Sequence, residues 1–135
     1  MGVNALQAKD ASKRMMSKKG FYDSRDGSRV RYRSGWELAM MRWLDANDDV
    51  ETWRYEPLDV HYVASESSSK IRRYTPDFLI AWKDGTRELV EIKPLRRINR
   101  KVIKKAEAAA EIAHEIDVMF SIMTEIELKT IGVCI

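Results

Sequence analysis

The chain is poor in the residues that staple, anchor or export a protein. It has one cysteine, Cys134, so no intrachain disulfide can form. Its two histidines, His61 and His114, have metal-ligand spacing to nothing, and both are expected to be structural or exposed. No apolar run approaches the roughly 18 residues that cross a bilayer, and the N-terminus lacks an apolar signal-peptide core. Low-complexity sequence is confined to Ser65–Lys70 (SESSSK), expected as a flexible surface loop, and no internal repeat or linker is evident. From Lys93 to Lys105 there is no acid, against seven Lys and Arg. The expectation is a soluble cytoplasmic protein with no membrane partner.

At 135 residues and 44% apolar composition, the chain suffices for one domain with a real core. The net charge of +3 conceals an asymmetry. Residues 1–33 carry nine basic and three acidic side chains, and outside this block and 93–105 the chain holds eight basic against eighteen acidic. Two basic blocks on an acidic body point to a polyanion partner.

Residues 1–29 are polar, basic and without periodicity, and are expected as an arm that is mobile or ordered only against a partner. The domain proper is expected over residues 30–135. Ser34 with Glu37 forms a capping-box pattern, followed by Trp36, Ala39, Met40, Trp43 and Leu44 at helical spacing and a stop at Asn47. Strands are expected over Val50–Tyr55, Leu58–Val63, Arg72–Trp82, Arg87–Lys93 and Val118–Met123. A helix is expected from Arg97 to about Glu115, its apolar side made by Ile98, Val102, Ala106, Ala109, Ala110, Ala113 and Ile116. Thr124 with Glu127 opens a short last helix that ends before Gly132. This order gives an α+β (α/β) fold, a mixed sheet flanked by helices.

Chemistry concentrates between Tyr74 and Pro94. Pro76-Asp77 is followed, one hairpin later, by Glu91-Ile92-Lys93. Two carboxylates supply hard oxygen ligands for a divalent ion, and a lysine stabilises charge on a phosphate or an attacking water. Register decides whether they meet. A two-residue turn at Asp84-Gly85 puts Asp77 and Glu91 on opposite faces unless a bulge intervenes. A three-residue loop, Lys83-Asp84-Gly85, with Gly85 in the left-handed region, sets Asp77 opposite Glu91, with Lys93 on the same face. A nuclease requires the second arrangement, or a bulge that does the same job. Beyond it, Arg97, Arg100, Lys101, Lys104 and Lys105 recur at spacings of three and four, a ridge suited to DNA phosphates.

These residues resemble the PD-(D/E)xK nuclease superfamily, as Pro76-Asp77 with Glu91-Ile92-Lys93. RSGWE (Arg33–Glu37), YTPDF (Tyr74–Phe78), EIKP (Glu91–Pro94) and FSIMTE (Phe120–Glu125) fall in the order seen in TnsA-type transposon endonuclease domains and in head-completion nucleases of T4-like tailed phages. The resemblance implies a restriction-endonuclease-like core and Mg²⁺-dependent hydrolysis of DNA, with Mn²⁺ substituting. It implies Asp77, Glu91 and the Ile92 carbonyl as metal ligands, Lys93 as the group that orients water, and Glu37 reaching the metal from the first helix. Glu37 also has its capping role, and the two weigh evenly. The phage resemblance implies action on DNA ends or branches, in the host cytoplasm or virion, with a capsid protein or a second copy as partner. The rivals are a TnsA-like subunit active only beside a partner and a non-catalytic DNA-binding or capsid-associated module.

Overall fold

Gly20–Asp23 (β1) pairs antiparallel with Arg29–Tyr32 (β2) in the computed structural model, which describes residues 19–65 and 67–135. Residues 1–18 of the expected arm lie outside the described residues. After them the chain is already a hairpin rather than an arm. Its turn is held locally: the Asp26 carboxylate accepts from the Ser28 N–H (2.8 Å) and the Ser24 hydroxyl. The Tyr22 hydroxyl (2.6 Å) and the Arg25 N–H (2.8 Å) both donate to Asp45 of the following helix. Four residues of alternating burial are too short a signal to stand out from a polar, basic background.

The described chain divides into two compact units, where the sequence reading has a single domain. The first runs to Asn47 and includes Ile126–Ile135; the second is Asp48–Glu125. In the first, helix α1 (Gly35–Ala46) starts at Ser34, whose hydroxyl accepts from the Glu37 N–H at 3.1 Å, and stops at Asn47 as expected. Trp36, Met40, Met41 and Leu44 make its buried stripe.

The second unit holds the mixed sheet. Val50–Tyr55 (β3), Phe78–Trp82 (β6), Arg87–Ile92 (β7) and Met119–Met123 (β8) lie in the order β3-β6-β7-β8, with β7 and β8 parallel and the other pairs antiparallel. Helix α2 (Arg100–Glu115) makes the crossover that a parallel pair requires. Val60–Ser65 (β4) and Ser68–Tyr74 (β5) form a separate two-stranded hairpin.

Several boundaries differ from expectation. The strand expected over Arg72–Trp82 is two strands, broken at Thr75-Pro76-Asp77, because Pro76 has no N–H for a ladder. The Ser-rich stretch expected as a loop is mostly strand; Glu66 lies outside the described residues, and Ser68 already pairs with Ser65. Helix α2 begins at Arg100, not Arg97, because the Asn99 side chain caps it by accepting from the Val102 N–H at 3.0 Å. Arg97 belongs instead to a 3₁₀ turn, Leu95–Arg97. The buried side of α2 is Ala109 and Ala113, flanked by Ala108 and Ile112, whereas Ala110 is exposed and Ile116 is 43% exposed. Val102 and Ala106 are partly buried as expected, so spacing places the face correctly and overextends it only at Ala110 and Ile116.

Helix α2 lies against the sheet through Ala113, which packs with Leu89, Val118, Leu79 and Phe120. Through Ala109 it packs against Val60 and Tyr74 of the β4–β5 hairpin. Among the described residues no helix is long and apolar enough to cross a membrane.

Helices α2 and α3 (Glu125–Ile131) end alike. At α3 the Val133 N–H donates to the Leu128 carbonyl and Gly132, at φ 96°, donates to Lys129. At α2 the Val118 N–H donates to Ala113 (2.8 Å) and Asp117 to His114 (3.2 Å), with Asp117 at φ 58°. Both are Schellman endings, but α2 places an aspartate where glycine is unstrained. Asp117→Gly is expected to raise the melting temperature by about 2–4 °C, from relief of roughly 0.5–1 kcal/mol. Asp117→Ala should lower it, and calorimetry on both variants checks the pair.

Candidate active site

The β6–β7 hairpin decides what can meet. The Trp82 N–H donates to the Thr86 carbonyl (2.9 Å), the Gly85 N–H returns to Trp82 (3.0 Å), and Gly85 sits at φ 92°. The loop is therefore Lys83-Asp84-Gly85, the three-residue form. Asp84 braces it, its Oδ1 accepting from the Thr86 N–H (2.9 Å) and hydroxyl (2.6 Å), which hold this carboxyl below its ordinary range. Register then runs Ala81↔Arg87, Ile80↔Glu88, Leu79↔Leu89 and Phe78↔Val90. The next position opposite Asp77 is Glu91.

At that point the ladder stops being main chain. The Asp77 carbonyl accepts from the Glu56 N–H (2.7 Å), while its carboxylate Oδ2 accepts from the Ile92 N–H (2.7 Å). Continuing the register, Ile92 faces Pro76, which has no N–H to give its carbonyl. One proline thus breaks the strand, frees Asp77 to turn its side chain into the ladder, and denies the Ile92 carbonyl a ladder donor. Glu56, at φ 47°, holds a left-handed conformation beside this junction.

Glu91 is 8% exposed and is hydrogen-bonded to Asp77. Burial first, then the neighbouring Glu91 carboxylate, pushes the Asp77 carboxyl well above its ordinary range; the Ile92 N–H and the Lys93 charge pull the other way. The Tyr74 hydroxyl also bonds to Glu91, and burial followed by the Glu91 charge raises this phenol strongly. Lys93 follows β7 directly, its N–H donating to the Met123 carbonyl at 3.1 Å.

A second carboxylate of β7 offers a contrast. Glu88 points to the other face, where its oxygens accept from Trp82 Nε1 (3.3 Å) and the Ser121 hydroxyl. Neutral donors satisfy it, and it reads as structural. Asp77 and Glu91, by contrast, are acids holding each other. A half-buried carboxyl, Asp77, and a buried one, Glu91, with a shared hydrogen bond, a nearby ammonium and a carbonyl without a ladder donor fit a hard divalent ion, which takes few carboxylates and completes its shell with water. Among the described residues no group of three His, Cys, Asp or Glu side chains gathers to hold a metal.

The structure thus brings Asp77, Glu91, Ile92 and Lys93 together. Glu37 belongs to the first unit, where it is 9% exposed and its Oε1 accepts from the Arg33 N–H at 2.8 Å. That is a capping interaction, reaching one residue further back than the usual box. Of the expected DNA ridge, Arg100, Lys101, Lys104 and Lys105 lie on α2, and Arg97 lies off it. His61, His114 and Cys134 are exposed. Sequence reasoning gave Tyr74 no role, although it opens the same YTPDF segment as Asp77.

With Asp77 raised, the folded protein binds more protons than the unfolded chain around this pair. Its stability therefore falls as pH climbs from the unfolded carboxylate value, about 3.9, through the higher folded one. In EDTA, Asp77→Asn is expected to melt higher than wild type at neutral pH by about 4 °C, or roughly 1 kcal/mol. Thermal scans against pH should show that advantage shrinking to nothing in acid, where the wild-type pair is protonated.

The family model described as TnsA-like endonuclease N terminal matches residues 47–125, more than half of the chain. The chain is also similar to the head completion nuclease of Enterobacteria phage T4, 26% identical over 130 residues, covering 79% of this chain and 86% of that protein.

Proposed function

Since the chain belongs to the TnsA-like endonuclease N-terminal family, we propose that it is a metal-dependent DNA endonuclease with Asp77, Glu91 and Lys93 at its centre. The observation that carries the reading is the hydrogen-bonded pair of half-buried Asp77 and buried Glu91 at the end of a hairpin whose loop sets it in register. Such a pair is unfavourable without a cation, and a site that keeps it has a use for it.

Asp77 and Glu91, with the Ile92 carbonyl, are the residues that would hold Mg²⁺ or Mn²⁺. When bound, the ion supplies Lewis acidity toward a phosphodiester and lowers the pKa of water. Lys93 brings a positive charge beside Asp77, where it orients the incoming water and stabilises the charge that develops on phosphorus-bound oxygen. Water oxygen then replaces the leaving sugar oxygen on the phosphorus. Tyr74, bonded to Glu91, fixes that carboxylate's orientation.

The likeness to the phage T4 protein supports a head-completion role, acting on DNA ends or branches. A nuclease that needs a partner subunit is the second reading, favoured by the family match to TnsA-like domains.

Purified protein on supercoiled plasmid is expected to nick or linearise it with Mg²⁺ or Mn²⁺ and not with EDTA. Asp77→Ala and Lys93→Ala should each lower the rate about 100-fold or more. Wild-type cleavage that survives EDTA, or variants that cut at full rate, would refute the assignment. Glu37→Gln separates the two roles of that residue, because glutamine keeps the cap. An unchanged melting temperature with lost cleavage would give Glu37 the metal-side role; unchanged cleavage would leave it a cap.

A further inference from the structure

Beside the carboxylate pair lies a cleft of about 290 Å³ whose two walls come from different elements of the second unit. One wall is the start of α2, with Arg100, Lys101, Lys104 and Lys105. The other is the β4–β5 hairpin, which contributes Tyr62 and Arg72. These two are cross-strand partners and so share one face of the hairpin. It is the face that carries Val60 and Tyr74 onto α2.

The charge in this cleft has one sign. No acidic side chain is among the described residues that line it, and none of the five cations forms a salt bridge among the described residues. The hairpin had an alternative on its opposite face, where Arg73 is held by Asp59 at 3.9 Å. Arg72 instead faces four cations across a gap. Like charges that converge without counter-charges repel, so the arrangement costs stability unless an anion enters between them. A lone basic helix face is commonly just solvated; here an arginine from a second element, Arg72, closes the helix face into a cleft.

The cleft is also joined to the chemistry. Lys105 Nζ lies 5.8 Å from the centroid of the Tyr74 ring, and the hydroxyl of that ring bonds to Glu91. One side chain therefore separates the cationic cleft from the carboxylates. Resting on the nuclease reading above, we propose that this cleft seats the phosphodiester backbone of the substrate DNA, with Arg72 of the hairpin as the contact that closes on the strand from the side opposite α2. The hairpin is then half of the DNA grip, not a decoration of the sheet. Its cation contacts read backbone and not base, so the grip tolerates any sequence.

The test is binding without cleavage. Fluorescence anisotropy of the full chain in EDTA, with a labelled duplex and a labelled single strand, is run across a salt series. Arg72→Ala is expected to weaken binding roughly tenfold at low salt and to reduce the salt slope by about one contact's worth, near 0.9 for duplex. Arg72→Lys should recover most of the affinity. Lys83→Ala, in the β6–β7 loop near the far end of α2, should change neither. Unchanged affinity and slope in Arg72→Ala, or a wild-type protein that does not bind DNA, would overturn the proposal. The two readings fail separately: DNA binding lost with Arg72 but no cleavage by wild type with Mg²⁺ would sink the nuclease alone. Cleavage by wild type with binding indifferent to Arg72 would sink the cleft alone.

Discussion

One hydrogen bond organises the centre of this molecule, that from the Ile92 N–H to the Asp77 carboxylate. It stands where a main-chain acceptor would have stood had the ladder continued. Because Pro76 ends the regular pairing, a side chain completes the sheet, and that side chain is an acid. The position of Asp77 is thereby set by the sheet itself and not by a mobile loop. Glu91 follows on β7 one position before the donor, and the two acids meet whether or not meeting is favourable.

The unfavourable part is deliberate in a physical sense. Glu88, on the other face of the same strand, shows how this fold handles an acid it only needs to store, surrounding it with an indole N–H and a hydroxyl. Asp77 and Glu91 are left to share a hydrogen bond, with Lys93 and Tyr74 beside them. The contrast between Glu88 and this pair is one of partners more than of burial, since all three acids are at least partly removed from bulk water.

Much of this was legible in the sequence. The Lys83-Asp84-Gly85 loop carries its own turn chemistry, and once its length is three the register follows by counting. The Ser34 cap and the acid-acid-lysine spacing are likewise local patterns. What could not be read was non-local. Nothing in SSSKIRRY says that Arg72 rather than Arg73 faces α2, because that depends on pairing with β4 and on the packing of Val60 and Tyr74 against Ala109. On α2 the expected side holds at Val102, Ala106, Ala109 and Ala113 and fails at Ala110 and Ile116, which are apolar yet lie outward. The strand break at Pro76 has a local cause, a residue without a donor, but a continuous run of β-forming residues on both sides hides it.

The three-residue loop has a consequence for the range of the site's contacts. Asp77 through Lys93 is one short hairpin, so its closure spans few residues and costs little chain entropy. The parallel partner β8, by contrast, reaches β7 only after the whole of α2 has formed and folded back. The pair of acids is therefore set by the shortest-range pairing in this sheet. The meeting of Asp77 with Glu91 thus depends on contacts local in the chain, whereas the parallel pairing of β7 with β8 depends on contacts across the whole of α2.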